Sequence, residues 1–222
     1  MIRGDSKDYE LLEQWTKGFD CQGHKTCEIG VREGLGSKII MDNIVNNYIH
    51  VGVDPYGNLK YQHYDDSPEY QCDYTDAMRD TMLKDFLPYR NSGKFTMCLM
   101  TDTDFMNESK HSTSKFSFIH LDGPHMTKDV ITESVWFANR CAPITRIIYD
   151  DYPKYDMPLI EKIMEKYGFK VLEKGKNKVC LEKNKSWFRH TTINSTLHKK
   201  TNRKDQRGFG VPCRHNRQPI VF

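Results

Sequence analysis

The stretch Thr26-Cys-Glu-Ile-Gly-Val-Arg-Glu-Gly-Leu-Gly-Ser37 decides how the rest of the chain is read. Its first six residues form a short apolar run of strand character. Glycines at 30, 34 and 36 then break the chain, before Lys38 to Asn47 takes up helical spacing through Ile39, Ile40, Ile44 and Val45. A second strand follows at once, Tyr48-Ile-His-Val-Gly-Val53, and it stops at Asp54-Pro55 because proline has no amide hydrogen to give a ladder. Strand, glycine turn, helix, strand is how a parallel sheet with helical crossovers begins.

The alternation continues on both sides. Tyr9 to Trp15 reads as a short leading helix, and a later helix runs through Met78, Met82, Leu83, Phe86 and Leu87. Further strands are expected at Lys94–Met100, at Phe116–Leu121 ending in Asp122-Gly123, and at Thr145–Tyr149 ending in Asp150-Asp151. Helices are expected over 127–140 and 158–167. Phe169–Glu173 and Val179–Glu182 flank a turn at Gly175-Lys-Asn177, and residues 57–72 carry little periodicity. The predicted fold is α/β: a doubly wound, mostly parallel seven-stranded sheet closed by a C-terminal antiparallel hairpin. Residues 1–24 form a helical lead-in, 25–184 the sheet domain and 185–222 an extension without apolar density.

Composition narrows the class. In 222 residues, 37% hydrophobic and 28% charged, there is enough apolar material for one core, concentrated in the segments above. No apolar run approaches the roughly 20 residues of a bilayer span, and the first residues lack an apolar targeting region. Seven cysteines, an odd number without a dense framework, fit reduced thiols, so a cytoplasmic protein is expected. Cys21-Gln-Gly-His24-Lys-Thr-Cys27 offers three zinc-type donors, but it is only half of a paired-knuckle pattern, and buried thiols are the plainer reading. Charge is unevenly spread: from Lys185 onward nine Lys/Arg face the single acid Asp205, which leaves the body acidic.

In an open α/β sheet, ligands lie beyond the carboxyl ends of the strands. Those ends here carry Glu28 and Gly30, Asp54, Asp102 and Asp104, Asp122, and Asp150 with Asp151. Acids gathered at one rim without Lys or Arg are costly unless a cation or a hydroxyl-rich ligand meets them. The glycine spacing is not the G-x-G-x-x-G of pyrophosphate binding, while Asp54 is placed to accept from a ribose diol. Asp122, Asp150 and Asp151, with no Lys or Arg between Ile147 and Tyr152, suit a hard cation with oxygen ligands. Neighbouring strand residues point opposite ways, so both Asp150 and Asp151 can ligate only where the strand has turned. Otherwise one of them caps the next segment.

Glu28-Ile-Gly-Val-Arg-Glu-Gly-Leu-Gly-Ser37 resembles the first motif of class I S-adenosylmethionine-dependent methyltransferases, and His50-Val-Gly-Val-Asp54-Pro-Tyr resembles their second strand with its ribose-binding acid. Phe118-Ile-His-Leu-Asp122-Gly-Pro-His125 and Ile147-Ile-Tyr-Asp150-Asp151-Tyr152 resemble segments of the metal-dependent O-methyltransferases that include the macrocin and novobiocin sugar methyltransferases. The likeness covers about residues 25–183. It implies S-adenosylmethionine held by Glu28, Gly30, Gly34, Ser37 and Asp54, with Asp102 on the adenine side. It further implies Mg²⁺ on Asp122, Asp150 and Asp151, and methyl transfer to a hydroxyl of a small molecule, a sugar or glycan above all. Pro124 stands where those enzymes carry an acid, so His125 takes the base's place, beside Asp122.

Two rivals remain open at this point. A nucleic-acid (RNA) methyltransferase would use the basic extension with Trp187, Phe188 and His190, although Asp150-Asp-Tyr-Pro does not match the amino-methylating "NPPY" tetrapeptide. A non-catalytic adenosine-binding domain would bind the cofactor without transfer. A nicotinamide oxidoreductase is disfavoured by the glycine spacing. The expected partners are the hydroxylated acceptor first, a nucleic acid second, and another copy of the chain.

Overall fold

The elements follow in chain order as α1 (Tyr9–Thr16), β1 (Lys25–Ile29), α2 (Leu35–Asn43), β2 (His50–Val53), β3 (Lys60–Gln62), β4 (Glu69–Gln71), α3 (Asp76–Asp85), α4 (Leu87–Asn91), β5 (Phe95–Cys98), α5 (Asp102–Asn107), β6 (Phe116–Leu121), α6 (Thr127–Ala138), β7 (Cys141–Tyr149), α7 (Met157–Glu165), β8 (Phe169–Lys174) and β9 (Val179–Lys183). They come from a computed structural model that describes residues 2–184 except 5, 47, 58 and 112. The basic extension 185–222, with Cys213, lies outside the described residues.

Seven strands form one sheet in the order β5-β2-β1-β6-β7-β9-β8. The first five pair parallel, and β9 runs antiparallel between β7 and β8. The order reverses between β1 and β6: the chain winds outward through β2 and β5 on one side and through β7 on the other. That reversal opens a crevice at the carboxyl ends of β1 and β6.

All six residues of β6 and all four of β2 are buried, as strands covered on both faces must be. Alternation divides the core. Ile119 and Leu121 of β6 join Ile147 and Tyr149 of β7 against Phe137, Ile160 and Met164. Phe118 and Ile148 point the other way, onto Leu12, Trp15, Phe19 and Ile40. Helix starts are locally encoded: Thr75 Oγ1 accepts from Met78 N, and Asp156 Oδ1 from Leu159 N, with proline in the first turn of α7.

Three details depart from the sequence reading. The segment 57–72 contains a hairpin, β3 with β4, pairing Lys60 with Gln71 and Tyr61 with Tyr70. Its three-residue strands are too short and too exposed to show alternation. A short helix, α5, starts directly at Asp102, and β7 begins at Cys141 instead of Thr145. Cys21 and Cys27 are free thiols buried in different apolar clusters, in line with the plainer reading, and burial pushes the Cys21 thiol up to about 12. No helix among the described residues is long and apolar enough to cross a membrane.

Candidate functional site

A cavity of about 1140 Å³ lies at the reversal point, lined by the ends of β1, β2, β6 and β7, the start of α5, the hairpin and residues near the N-terminus. Its floor is set by a backbone crossing. Gly30 has φ +84°, and a Cβ there would lie 2.0 Å from the Asp122 carbonyl oxygen, so only glycine fits. Gly30 N donates to Val53 O at 2.9 Å and Asp122 N to Ile29 O at 2.8 Å, which locks the three strand ends together.

Asp54 shapes the turn above. Its Oδ2 accepts from Val31 N (3.0 Å) and Arg32 N (2.9 Å), and its Oδ1 from Tyr56 N (3.0 Å). Burial pushes this carboxyl up, and the three backbone N–H groups oppose that rise. Three of a carboxylate's roughly four acceptor positions are thereby used. Glu28 is buried beneath the same turn, accepting from Ser37 Oγ and from His120 Nδ1 at 2.7 Å. Ser37 meets His50 Nε2 at 2.9 Å, and His50 Nδ1 meets Thr26 Oγ1 at 2.8 Å.

Glu28, Gly30, Asp54 and Asp102 all line the cavity, whereas Gly34 and Ser37 do not. Both of those residues have a part in the turn itself. Gly34 supplies the positive φ that starts α2, and Ser37 is fully buried behind Glu28. Asp102 begins α5 after its cap Thr101, and burial pushes its carboxyl up. Buried Glu133 of α6 neighbours it and is pushed well above the usual range, first by desolvation and then by Asp102.

At the other end of the cavity, Asp122 and Asp150 come together with His120, one ligand-type atom of each lying within 4.8 Å of the others. Asp151 is not part of this group. It has φ 48° and begins a one-turn 3₁₀ helix, Tyr152–Lys154; its carboxylate pairs with Lys154 Nζ (2.6 Å) and accepts from Asn177 Nδ2 (2.8 Å). Asp150 is fully buried, and its Oδ2 lies 2.6 Å from the Nζ of Lys178, a lysine with no exposed surface. Burial alone would raise the Asp150 carboxyl, but the Lys178 ammonium, together with His120 and a hydrogen bond to Asp122, holds it below the usual carboxylate range. Asp122 is driven well above that range, first by burial and then by the Asp150 charge. A set with one acid turned away and another bound to a lysine does not fit a resident Mg²⁺.

His125 completes the site. It is 4% exposed and stacked between Tyr64 and Tyr155, with Nδ1 3.1 Å from His63 Nε2. Its Nε2 makes no hydrogen bond among the described residues and lies 3.9 Å from Asp122 Oδ1. Burial, then His63, lowers its pKa to about 4. The ring is therefore neutral at pH 7, and the tautomer in which Nδ1–H donates to His63 leaves Nε2 as an acceptor. The hairpin that brings His63 is pinned down by His125 N to His63 O (2.8 Å), Thr127 N to Asp65 Oδ1 (3.1 Å) and Lys154 Nζ to the Tyr64 hydroxyl (2.6 Å).

Sequence reasoning missed His63, His120, Lys178 and Ser6. Only His120 carries a signal: a polar residue within the apolar strand Phe118-Ile-His-Leu121, which must find partners if buried.

No family model matches this sequence, and no curated protein is similar to it. Solved structures do match. An O-methyltransferase from Bacillus cereus, in complex with S-adenosylhomocysteine, has TM-score 0.52 at 12% identity over 82% of each chain. The O-methyltransferase TomG from Streptomyces achromogenes, involved in tomaymycin synthesis and in complex with S-adenosylmethionine, has TM-score 0.55 at 10% identity over 82% of each chain. A proposed rRNA methylase from Clostridium thermocellum has TM-score 0.51 at 9% identity, over 82% of this chain and 96% of that one. The chain thus has the Rossmann-like methyltransferase fold, with its mostly parallel seven-stranded sheet and C-terminal antiparallel pair.

Proposed function

We propose that this protein transfers a methyl group from S-adenosylmethionine to a hydroxyl of a small molecule, with a sugar or glycan unit as the acceptor class. One observation carries the reading. A single cavity joins a glycine-floored turn bearing Asp54 and Asp102 to a buried, neutral histidine whose Nε2 is free to accept. The first end suits a nucleoside: Asp54 retains an acceptor position for a ribose hydroxyl, and Asp102 lines the same cavity for the base. Glu28 and Gly30 complete that end. Support for the cofactor also comes from the fold neighbours crystallised with S-adenosylmethionine or S-adenosylhomocysteine.

The acceptor hydroxyl then lies toward His125, under the aromatic hairpin residues. Its oxygen forms the new bond to the methyl carbon as the carbon–sulfur bond breaks. The proton passes to His125 Nε2, and S-adenosylhomocysteine leaves. Asp122, whose Oδ1 lies 3.9 Å from His125 Nε2, orients the acceptor by a hydrogen bond. No step runs through the Mg²⁺ that the sequence motifs suggested, because Lys178 pairs with Asp150.

Thermal denaturation tests the first half. S-adenosylhomocysteine at about 100 times its Kd should raise Tm by about 5–10 °C, while NAD⁺ should leave it unchanged. Absence of any shift rejects the reading. Labelled S-adenosylmethionine offered with hydroxylated sugars and, in parallel, with RNA tests the second half. Label entering RNA and no sugar overturns the acceptor class. Binding without transfer to either identifies an adenosine-binding domain.

A further inference from the structure

We infer that Lys178 is the resident cation of the acidic end of the cavity, neutralising Asp150 from within the chain so that the His120–Asp122–Asp150 group holds no divalent ion. Among the described residues that group is the one set of donors close enough to bind a metal, and most of its lone pairs are already engaged.

An ammonium has three N–H bonds, and here each finds a partner: Asp150 Oδ2 at 2.6 Å, Ser6 Oγ at 2.8 Å and His120 Nε2 at 3.3 Å. The Tyr9 ring lies 5.1 Å from the same nitrogen. A lysine stripped of water is tolerated only when paired this fully. The third contact fixes His120. To accept at Nε2 the ring must carry its proton on Nδ1, and Nδ1 is 2.7 Å from Glu28 Oε1, where it donates. No lone pair on His120 is left for a metal.

Asp150 is equally engaged. Its Oδ2 also accepts from Ser6 Oγ, and its Oδ1 accepts from the Asp151 amide at 2.8 Å. Only Asp122 and one Oδ1 position of Asp150 remain, while Mg²⁺ and its analogues bind through several oxygens and repel an adjacent ammonium. The lysine is itself held in place, since the carboxylate of Asp8 accepts from Asn177 N (2.6 Å) and Lys178 N (3.3 Å), fixing the turn that delivers it.

Mn²⁺ electron paramagnetic resonance on the full chain tests this, and it reads metal uptake independently of whether methyl transfer occurs. The wild-type chain is expected to leave Mn²⁺ free. Lys178→Met, which keeps the length but removes the charge and the donors, should bind one Mn²⁺ per chain at least about tenfold more tightly. Lys178→Met with Asp150→Asn should lose that binding again. A wild-type chain that takes up stoichiometric Mn²⁺, released by Asp150→Asn, overturns the inference whether or not the lysine variant folds. A folded Lys178→Met chain that ignores Mn²⁺ also overturns it.

Discussion

Acid should weaken this fold through His125, and the size of the effect follows from its surroundings. In the folded chain the ring is buried beside His63 and titrates at about 4, against about 6.5 for a hydrated histidine. Between those values the unfolded chain binds a proton that the native chain does not. A depressed histidine pKa therefore contributes stability that is complete above the unfolded value and is lost as pH falls through the folded one. From about pH 7 to about pH 4.5 the loss from this one residue is on the order of 2–3 kcal/mol. His125→Gln removes the titration. Urea unfolding followed by tryptophan fluorescence at the two pH values should show the variant losing that much less stability than the wild type. His50, lowered to about 3 by burial, titrates in both chains and cancels in the difference. Glu133, raised by burial, works in the opposite sense, its contribution fading as pH rises through its folded pKa, and it cancels too. Parallel acid losses in the two chains would refute the reasoning, and with it the neutral ring that the proposed proton transfer requires.

Gly30→Ala sets a methyl 2.0 Å from the Asp122 carbonyl at φ +84°, so it should cost about 3 kcal/mol in urea unfolding and abolish the thermal response to S-adenosylhomocysteine. A folded variant with an unchanged response would mean that the crossing does not shape the ligand site. Asp54→Asn turns an NH₂ group toward at least one of the N–H donors of Val31, Arg32 and Tyr56. Stability should fall by about 1–3 kcal/mol and the calorimetric Kd for S-adenosylhomocysteine rise by about tenfold or more. An unaltered Kd removes Asp54 from the binding site.

The sheet is legible in the sequence because β1, β2 and β6 are buried on both faces and read as apolar runs between turn residues. The hairpin β3–β4 offers no such pattern: its side chains are exposed or half-buried and its contacts lie across the cavity. The acids of the site are legible by position, since Asp54, Asp122 and Asp150 each follow a strand. The pair Asp150-Asp151 allowed two readings, ligand or turn residue, and only backbone geometry separates them, with Asp151 taking the turn. Lys178, directly after the Gly175-Lys-Asn177 turn, carries no signal in the sequence that sets it apart from other lysines. Its burial depends on Ser6 and Asp150, far away in sequence, and no local pattern reports such a contact.

The tie between Ser6 and Lys178 joins the start of the chain to the last hairpin of the sheet. During synthesis Asp150 leaves the ribosome before the lysine that neutralises it, and an unpaired carboxylate stays in water until its counter-ion arrives. A chain cut before Lys178 therefore keeps the Asp150 rim of the sheet hydrated.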